Sequence, residues 1–264
     1  MQSPASPLVQ AWRARQRRLR LLAVLYLPWA LAVFLPLQVV TMVLFGTTGA
    51  LVALVSADAA GRVGQAWGRL MCALNFTRVS LHGVDQVDPG RQYVLMLNHN
   101  SHFDVICFYA VWRQQFRFVV KQELKKIPGL GWYCQAGGHV FVDRRDHARA
   151  VRSLDAAATR MRREGFSIAF FPEGTRSRDG RLQPLKKGGF VMAEQLGVPI
   201  LPISISGSSD ILPGHALRLL PGRVRITVQP PIDPARYGGD RDRLIADTRA
   251  ALARGLTPWE RGEG

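Results

Sequence analysis

The run Asn98-His99-Asn100-Ser101-His102-Phe103-Asp104 places a histidine and an aspartate five residues apart. On an uninterrupted helix that spacing would turn the two side chains about 140° away from each other, and they could not touch. They meet only if His99 closes a strand and Asp104 lies in the first turn of the helix that follows. Ser101 then takes the N-cap position, with Asp104 three residues on, as in a capping box. A carboxylate on one imidazole nitrogen fixes the tautomer and leaves the other nitrogen to take a proton. The residues alone also allow a plainer arrangement, a capping aspartate beside an ordinary loop histidine. A metal site on His99, His102 and Asp104 is weaker, because no further ligand group stands at useful spacing.

A second run, Phe171-Pro172-Glu173-Gly174-Thr175-Arg176-Ser177, also follows a candidate strand. Gly174 lets main chain approach a ligand closely, and the planar fork of Arg176 matches phosphate oxygens. Thr175 and Ser177 add hydroxyls. Taken alone, a strand-to-loop turn with a solvated arginine explains the same residues. Two smaller elements follow the same logic: Gly138 to Arg144 ends a strand in Asp143-Arg144, a candidate structural ion pair. Val198-Pro199-Ile200-Leu201-Pro202 sets two prolines at the start of an apolar strand, where proline is tolerated.

In this order the four runs resemble the glycerolipid acyltransferase family, in particular the 1-acylglycerol-3-phosphate acyltransferases. The family's pattern is NHxSxxD, a strand ending in Asp-Arg, FPEGTRS, then VPIxP, and Lys121-Gln122-Glu123-Leu124 resembles its intervening Lys-x-Glu-Leu. The resemblance covers residues 75 to 232, and the joint match is specific where each motif alone is not. It implies that His99 is the base that deprotonates the sn-2 hydroxyl of lysophosphatidate, with Asp104 orienting it. Arg176 and Lys121 would hold the acceptor phosphate, with Glu173, Gly174 and Thr175 shaping the same binding loop. The donor would be acyl-CoA or acyl-carrier protein, and the product phosphatidic acid. No cofactor and no nucleic acid partner is implied. Rival readings are transfer to another lysolipid or to glycerol 3-phosphate, a lipid hydrolase using Ser101 or Cys107, and a basic membrane-binding module without catalysis. No GxSxG elbow supports the hydrolase.

Positioning these residues requires strands that end at the motifs. The β-rich runs are 92–97, 116–120, 139–142, 167–171, 199–205 and 223–229. Between them, 146–164 carries Val151, Leu154, Ala158 and Met161 at helical spacing. The stretches 184–197 and 240–255 also read as helices. Strands alternating with helices predict an α/β domain with a largely parallel sheet.

Ahead of that domain, residues 1–20 carry five arginines and no acid, and Leu21 to Ala57 contains no Asp, Glu, Lys or Arg. A helix over that stretch would run to roughly 55 Å, against about 30 Å for a hydrocarbon core. Pro28, Pro36, Gln38 and Gly46-Thr47-Thr48-Gly49 offer bends, which predicts a hydrophobic helical hairpin. The stretch is too long for the apolar core of a signal peptide. The expected division is a basic arm and membrane-anchoring hairpin over 1–57 and an acyltransferase domain over 58–264. The formal charge of +16 predicts attraction to anionic partners, a phospholipid surface among them. Arginines before the apolar stretch favour a cytoplasmic amino terminus, and with the resemblance this implies the cytoplasmic side of a bacterial inner membrane. Cys72, Cys107 and Cys134 have neither disulfide nor zinc spacing and are expected as buried reduced thiols.

Overall fold

The computed structural model describes residues 6–143, 145–216 and 218–263. Seven strands form one sheet: β1 (Thr77–His82), β2 (Val94–Leu97), β3 (Phe116–Lys121), β4 (Val140–Val142), β5 (Ser167–Phe170), β6 (Ile200–Ser206) and β7 (Gly222–Val228), in the spatial order β1-β7-β6-β2-β5-β3-β4. From β6 to β4 every pairing is parallel. The direction reverses once, between β6 and β7, and β1 runs parallel to β7 beyond it.

Every residue of β2, β5 and β6 is buried, as expected of parallel strands covered on both faces. Leu95 and Leu97 point into one apolar cluster with the helices α3 (Ala57–Leu74) and α4 (Phe103–Val111). Val94 and Met96 point into the other, with α6 (His147–Glu164), α7 (Gly188–Leu196) and α9 (Arg241–Arg254). The three helices read at 146–164, 184–197 and 240–255 are present. β1 was not expected: it is an edge strand whose side chains alternate between interior and solvent, so Arg78, Ser80 and His82 mask Val79 and Leu81. Pro202 stands inside β6 rather than at its start. The register shifts by one residue between Ile200↔Ile232 and Ile203↔Val228, and the missing proline N–H falls in that bulge. The Asp143-Arg144 pair involves Arg144, which lies outside the described residues.

The expected hairpin within residues 21–57 is corrected in one respect. Pro7–Ala53 is one long helix, α1 (Pro7–Trp29) running through a π turn at Ala30–Phe34 into α2 (Leu35–Ala53). Pro36 has no N–H for the Ala32 carbonyl, and just before it the Leu35 N–H reaches back five residues to Ala30. The helix therefore widens at the proline instead of ending. The chain turns back only at Leu54-Val55-Ser56, where the Ser56 hydroxyl accepts the Ala59 N–H and starts α3. The hairpin is thus formed by α2 and α3. Gly46 and Gly49 are not a bend. They are the places where α5 (Leu130–Ala136) and the turn before it press on α2: a Cβ on Gly46 would strike Gly129 main chain, and one on Gly49 the Tyr133 ring. Large apolar side chains from Leu21 to Leu51 remain exposed along this helix, and Val55 in the turn that follows is 90% exposed. By length and composition it is apolar enough to cross a membrane.

Candidate active site

His99 follows the end of β2 and Glu173 follows the end of β5, the neighbouring parallel strand. The two motifs therefore meet at the carboxyl edge of the sheet, where ligands of open α/β folds bind. Asn98 makes the exit from β2 rigid. Its side-chain oxygen accepts the Ile205 N–H at 2.6 Å and its amide donates to the Ile205 carbonyl at 2.9 Å, copying a strand pairing with a side chain.

Asp104, fully buried in the first turn of α4, lies 2.8 Å from His99 Nδ1 through Oδ2. The same oxygen accepts the N–H groups of Asn100 and Ser101, each at 2.8 Å. With all three groups acting as donors, Nδ1 carries its proton and Nε2 presents a lone pair. The His99 ring stacks on Phe171 at 3.9 Å, which fixes its plane. The expected capping box is only half formed. Asp104 reaches back to the Ser101 N–H, but the Ser101 oxygen accepts from Phe103 and not from Asp104. The Ser101 hydroxyl itself donates to the Leu212 carbonyl at 2.5 Å.

Both main-chain groups of His99 are held by the second motif. Glu173 Oε1 accepts the His99 N–H at 2.5 Å, and the Ser177 N–H donates to the His99 carbonyl at 2.9 Å. Glu173 Oε2 accepts the Gln183 N–H at 2.7 Å. Burial pushes the Glu173 carboxyl up to about 8, against the pull of these two backbone donors. With both oxygens turned to main chain, Glu173 orders the loop that carries Gly174, Thr175 and Arg176. Gly174 adopts φ 75°, and a Cβ there would come within 2.8 Å of Lys186 Nζ. Lys186 is thus a cation beside this loop that its sequence position did not signal. Thr175 is exposed.

Arg176 Nη1 donates to His102 Nδ1 at 2.8 Å. Burial and the guanidinium both lower the His102 pKa, so the ring stays a neutral acceptor. This assigns a partner to a histidine that the sequence left without one. Lys121 ends β3, two strands from β2, and pairs with Glu123 at 3.3 Å, both half exposed. It stands on the same rim, and its ion-pair partner belongs to its own Lys-x-Glu-Leu run rather than to the His99 or Arg176 loop.

Neither residue named for the hydrolase alternative is a free nucleophile. Ser101 is buried with its hydroxyl committed to Leu212. The Cys107 thiol is held well above its usual pKa by the neighbouring Cys72 and by burial, so it stays protonated and inert. With its Nε2 open, the His99–Asp104 pair can act as a general base on an acceptor hydroxyl.

The family model described as Acyltransferase matches residues 78–206. A 1-acyl-sn-glycerol-3-phosphate acyltransferase of Chlamydomonas reinhardtii is 30% identical over 89% of this chain and 70% of its own length. The chloroplastic enzyme BAT2 of Brassica napus, of the same description, is 35% identical over 69% of this chain and 52% of its own length. The crystal structure of the 1-acyl-sn-glycerophosphate (LPA) acyltransferase PlsC from Thermotoga maritima superposes with a TM-score of 0.73 at 28% identity. The match covers 90% of this chain and 95% of that one. The fold is that of an acyltransferase. The chain belongs to the same acyltransferase family as these enzymes, and the hairpin preceding its α/β domain does not alter that assignment.

Proposed function

We propose that the chain transfers a fatty acyl group from a thioester to the sn-2 hydroxyl of 1-acylglycerol 3-phosphate, giving phosphatidic acid. The observation that carries this reading is the His99–Asp104 pair, with Nε2 free and a guanidinium on the adjoining loop. His99 Nε2 takes the hydroxyl proton as the oxygen attacks the thioester carbonyl. The tetrahedral intermediate collapses with loss of thiolate, which recovers that proton from the imidazolium and leaves as free thiol. Asp104 orients the ring throughout and stabilises its charged form. Acyl-CoA and acyl-carrier protein both supply such a thioester, and both are anionic partners suited to a chain of charge +16.

Arg176 reads the acceptor phosphate. Its donation to neutral His102 orients the fork without neutralising it, and its other N–H groups remain for two phosphate oxygens. Residues 1–57 anchor the protein and residues 58–264 carry the reaction, on the cytoplasmic side of a bacterial inner membrane. The exposed apolar length of α1 and α2 from Leu21 onward, with the arginines in the first turns of α1 ahead of it, supports that placement. High salt should leave the protein in the membrane fraction, whereas release by salt alone would mean that the basic residues do the anchoring.

The deciding experiment follows free thiol release with lysophosphatidate and with lysophosphatidylcholine, for the parent, Arg176→Lys and Arg176→Ala. Charge-assisted hydrogen bonds contribute roughly 1.5–3 kcal/mol each, so Arg176→Ala should lose about tenfold or more in kcat/KM for lysophosphatidate. Arg176→Lys should fall between, because an ammonium cannot meet two oxygens in one plane. A parent that prefers the diester, or an unchanged Arg176→Ala, removes the acceptor assignment.

A further inference from the structure

The basic amino-terminal arm is not a free tail. Its first turns are docked, at two separate points, on elements that in turn hold the loops of the reaction centre.

At the first point the Trp12 ring stacks on Trp259, with centroids 4.2 Å apart and planes 13° from parallel. Trp259 belongs to α10 (Pro258–Arg261), a short helix fixed by a capping box between Thr257 and Glu260. The Arg181 guanidinium also lies over the Trp259 ring, at 4.0 Å, and the indole N–H donates to the Asp179 carbonyl at 2.8 Å. The Leu182 N–H donates to the Glu260 carbonyl at 2.8 Å. The segment 179–182 is thus gripped by α10. That segment lies between Ser177, which holds the His99 carbonyl, and Gln183, which shares Glu173 with the His99 N–H.

At the second point Arg15 pairs with Asp210 at 2.6 Å, and Arg218 donates to Gln16 at 2.8 Å. Asp210 lies in α8 (Ser208–Ile211), immediately before the Leu212 carbonyl that takes the Ser101 hydroxyl. Ser101 also bridges to Pro213, and a Cβ at Gly214 would meet Arg176 Cβ at 2.7 Å. The loop after α8 therefore touches both the backbone that feeds Asp104 and the side chain that reads phosphate.

We infer that the first turns of α1 act as a strap that sets the position of His99 and Arg176, with Trp12 and Trp259 as its positioning residues. Neither ring touches the reacting groups. Trp12 closes the far face of a stack whose other members hold the 179–182 segment, and its loss frees that segment to move. A shift of about 1 Å in a catalytic group can cost a hundredfold in rate, so a partial release is expected to be visible in kcat. This role rests on the acyl-transfer reading of the site, and hydrogen exchange tests it without that reading.

The full-length protein is placed in vesicles of phosphatidylethanolamine and phosphatidylglycerol as parent, Trp12→Ala, Trp12→Phe and Trp259→Phe. Backbone hydrogen exchange, which needs no substrate, should accelerate at Ser177, Leu182 and Gln183 in Trp12→Ala while the sheet amides keep their rates. In the thiol-release assay kcat should fall about tenfold, with KM for the thioester within about twofold of the parent. Trp12→Phe keeps a stacking ring and should recover at least about half of the parent's kcat. Trp259→Phe keeps the stack but loses the bond to Asp179, and should accelerate exchange in the same segment. Unchanged exchange in Trp12→Ala overturns the strap, whichever acceptor the parent uses. So does a loss of kcat that tracks loss of vesicle binding or of the folded fraction, or that Trp12→Phe fails to rescue. A parent inactive on every lysolipid, with the exchange result as expected, would remove the reading of the reaction and leave the strap in place.

Discussion

His99→Ala lowers kcat by about 10²–10⁴-fold, the usual worth of a general base, and leaves the fold and the membrane association intact. The substitution removes a ring that is only partly buried and whose main chain is held independently of it. The His99 N–H is bound to Glu173 and its carbonyl to Ser177, so neither strand end nor loop depends on the imidazole. The Asp104 carboxylate keeps the Asn100 and Ser101 N–H groups and still closes the turn into α4. The packing lost is the stack on Phe171, which itself remains supported by Phe118. KM for the phosphate-bearing acceptor should stay near the parent value, since Arg176 is seated on His102 and not on His99. The measurement is single-turnover thiol release by a variant whose unfolding profile matches the parent. Turnover within about tenfold of the parent would remove His99 as the base.

The relation of His99 to Asp104 was legible because five residues is a forbidden spacing on a helix and an allowed one across a strand-to-helix junction. The strands were legible for a related reason: β2, β5 and β6 are buried on both faces and so read as predominantly apolar runs, interrupted only by small or proline residues such as Ser167, Pro202, Ser204 and Ser206. The edge strand β1 is half solvated, and its alternating pattern is too short to stand out. Glycines misled at the hairpin. Gly46 and Gly49 suggest a bend when read locally, yet their purpose is tertiary, an approach by a turn and helix more than eighty residues later. Glu173 shows the same limit. Its place in the second motif suggested that it shapes the loop, but only the folded chain shows how: its two oxygens take the main-chain N–H groups of His99 and Gln183. Trp12 and Trp259 have no motif around them, and their stacking joins the two ends of the chain.

Asp104→Asn separates the two tasks of that carboxylate, and the geometry dictates which one survives. Three donors converge on Oδ2: His99 Nδ1 and the N–H groups of Asn100 and Ser101, all at 2.8 Å. An asparagine can satisfy them only with its oxygen in that place, because the amide nitrogen would bring hydrogens against all three. The reversed orientation is therefore excluded. The amide nitrogen then occupies the position of Oδ1, a buried atom without a hydrogen-bond partner among the described residues. An unpartnered charged oxygen gives way to an unpartnered neutral group, which is not the more costly of the two to bury, so global stability should change little. The cap persists, and His99 keeps the tautomer with its proton on Nδ1. What disappears is the negative charge that stabilises the imidazolium as the acceptor's proton arrives. In a buried site that loss falls on the transition state and not on substrate binding, so kcat should drop about 10²-fold or more at constant KM. Asp104→Ala should do worse on both counts, since it also leaves two buried N–H groups without acceptors, at about 1–3 kcal/mol each. Thermal unfolding and steady-state kinetics on the two variants distinguish the roles. If Asp104→Asn keeps parent-like kcat while Asp104→Ala unfolds, the carboxylate is a cap and its charge has no part in the reaction.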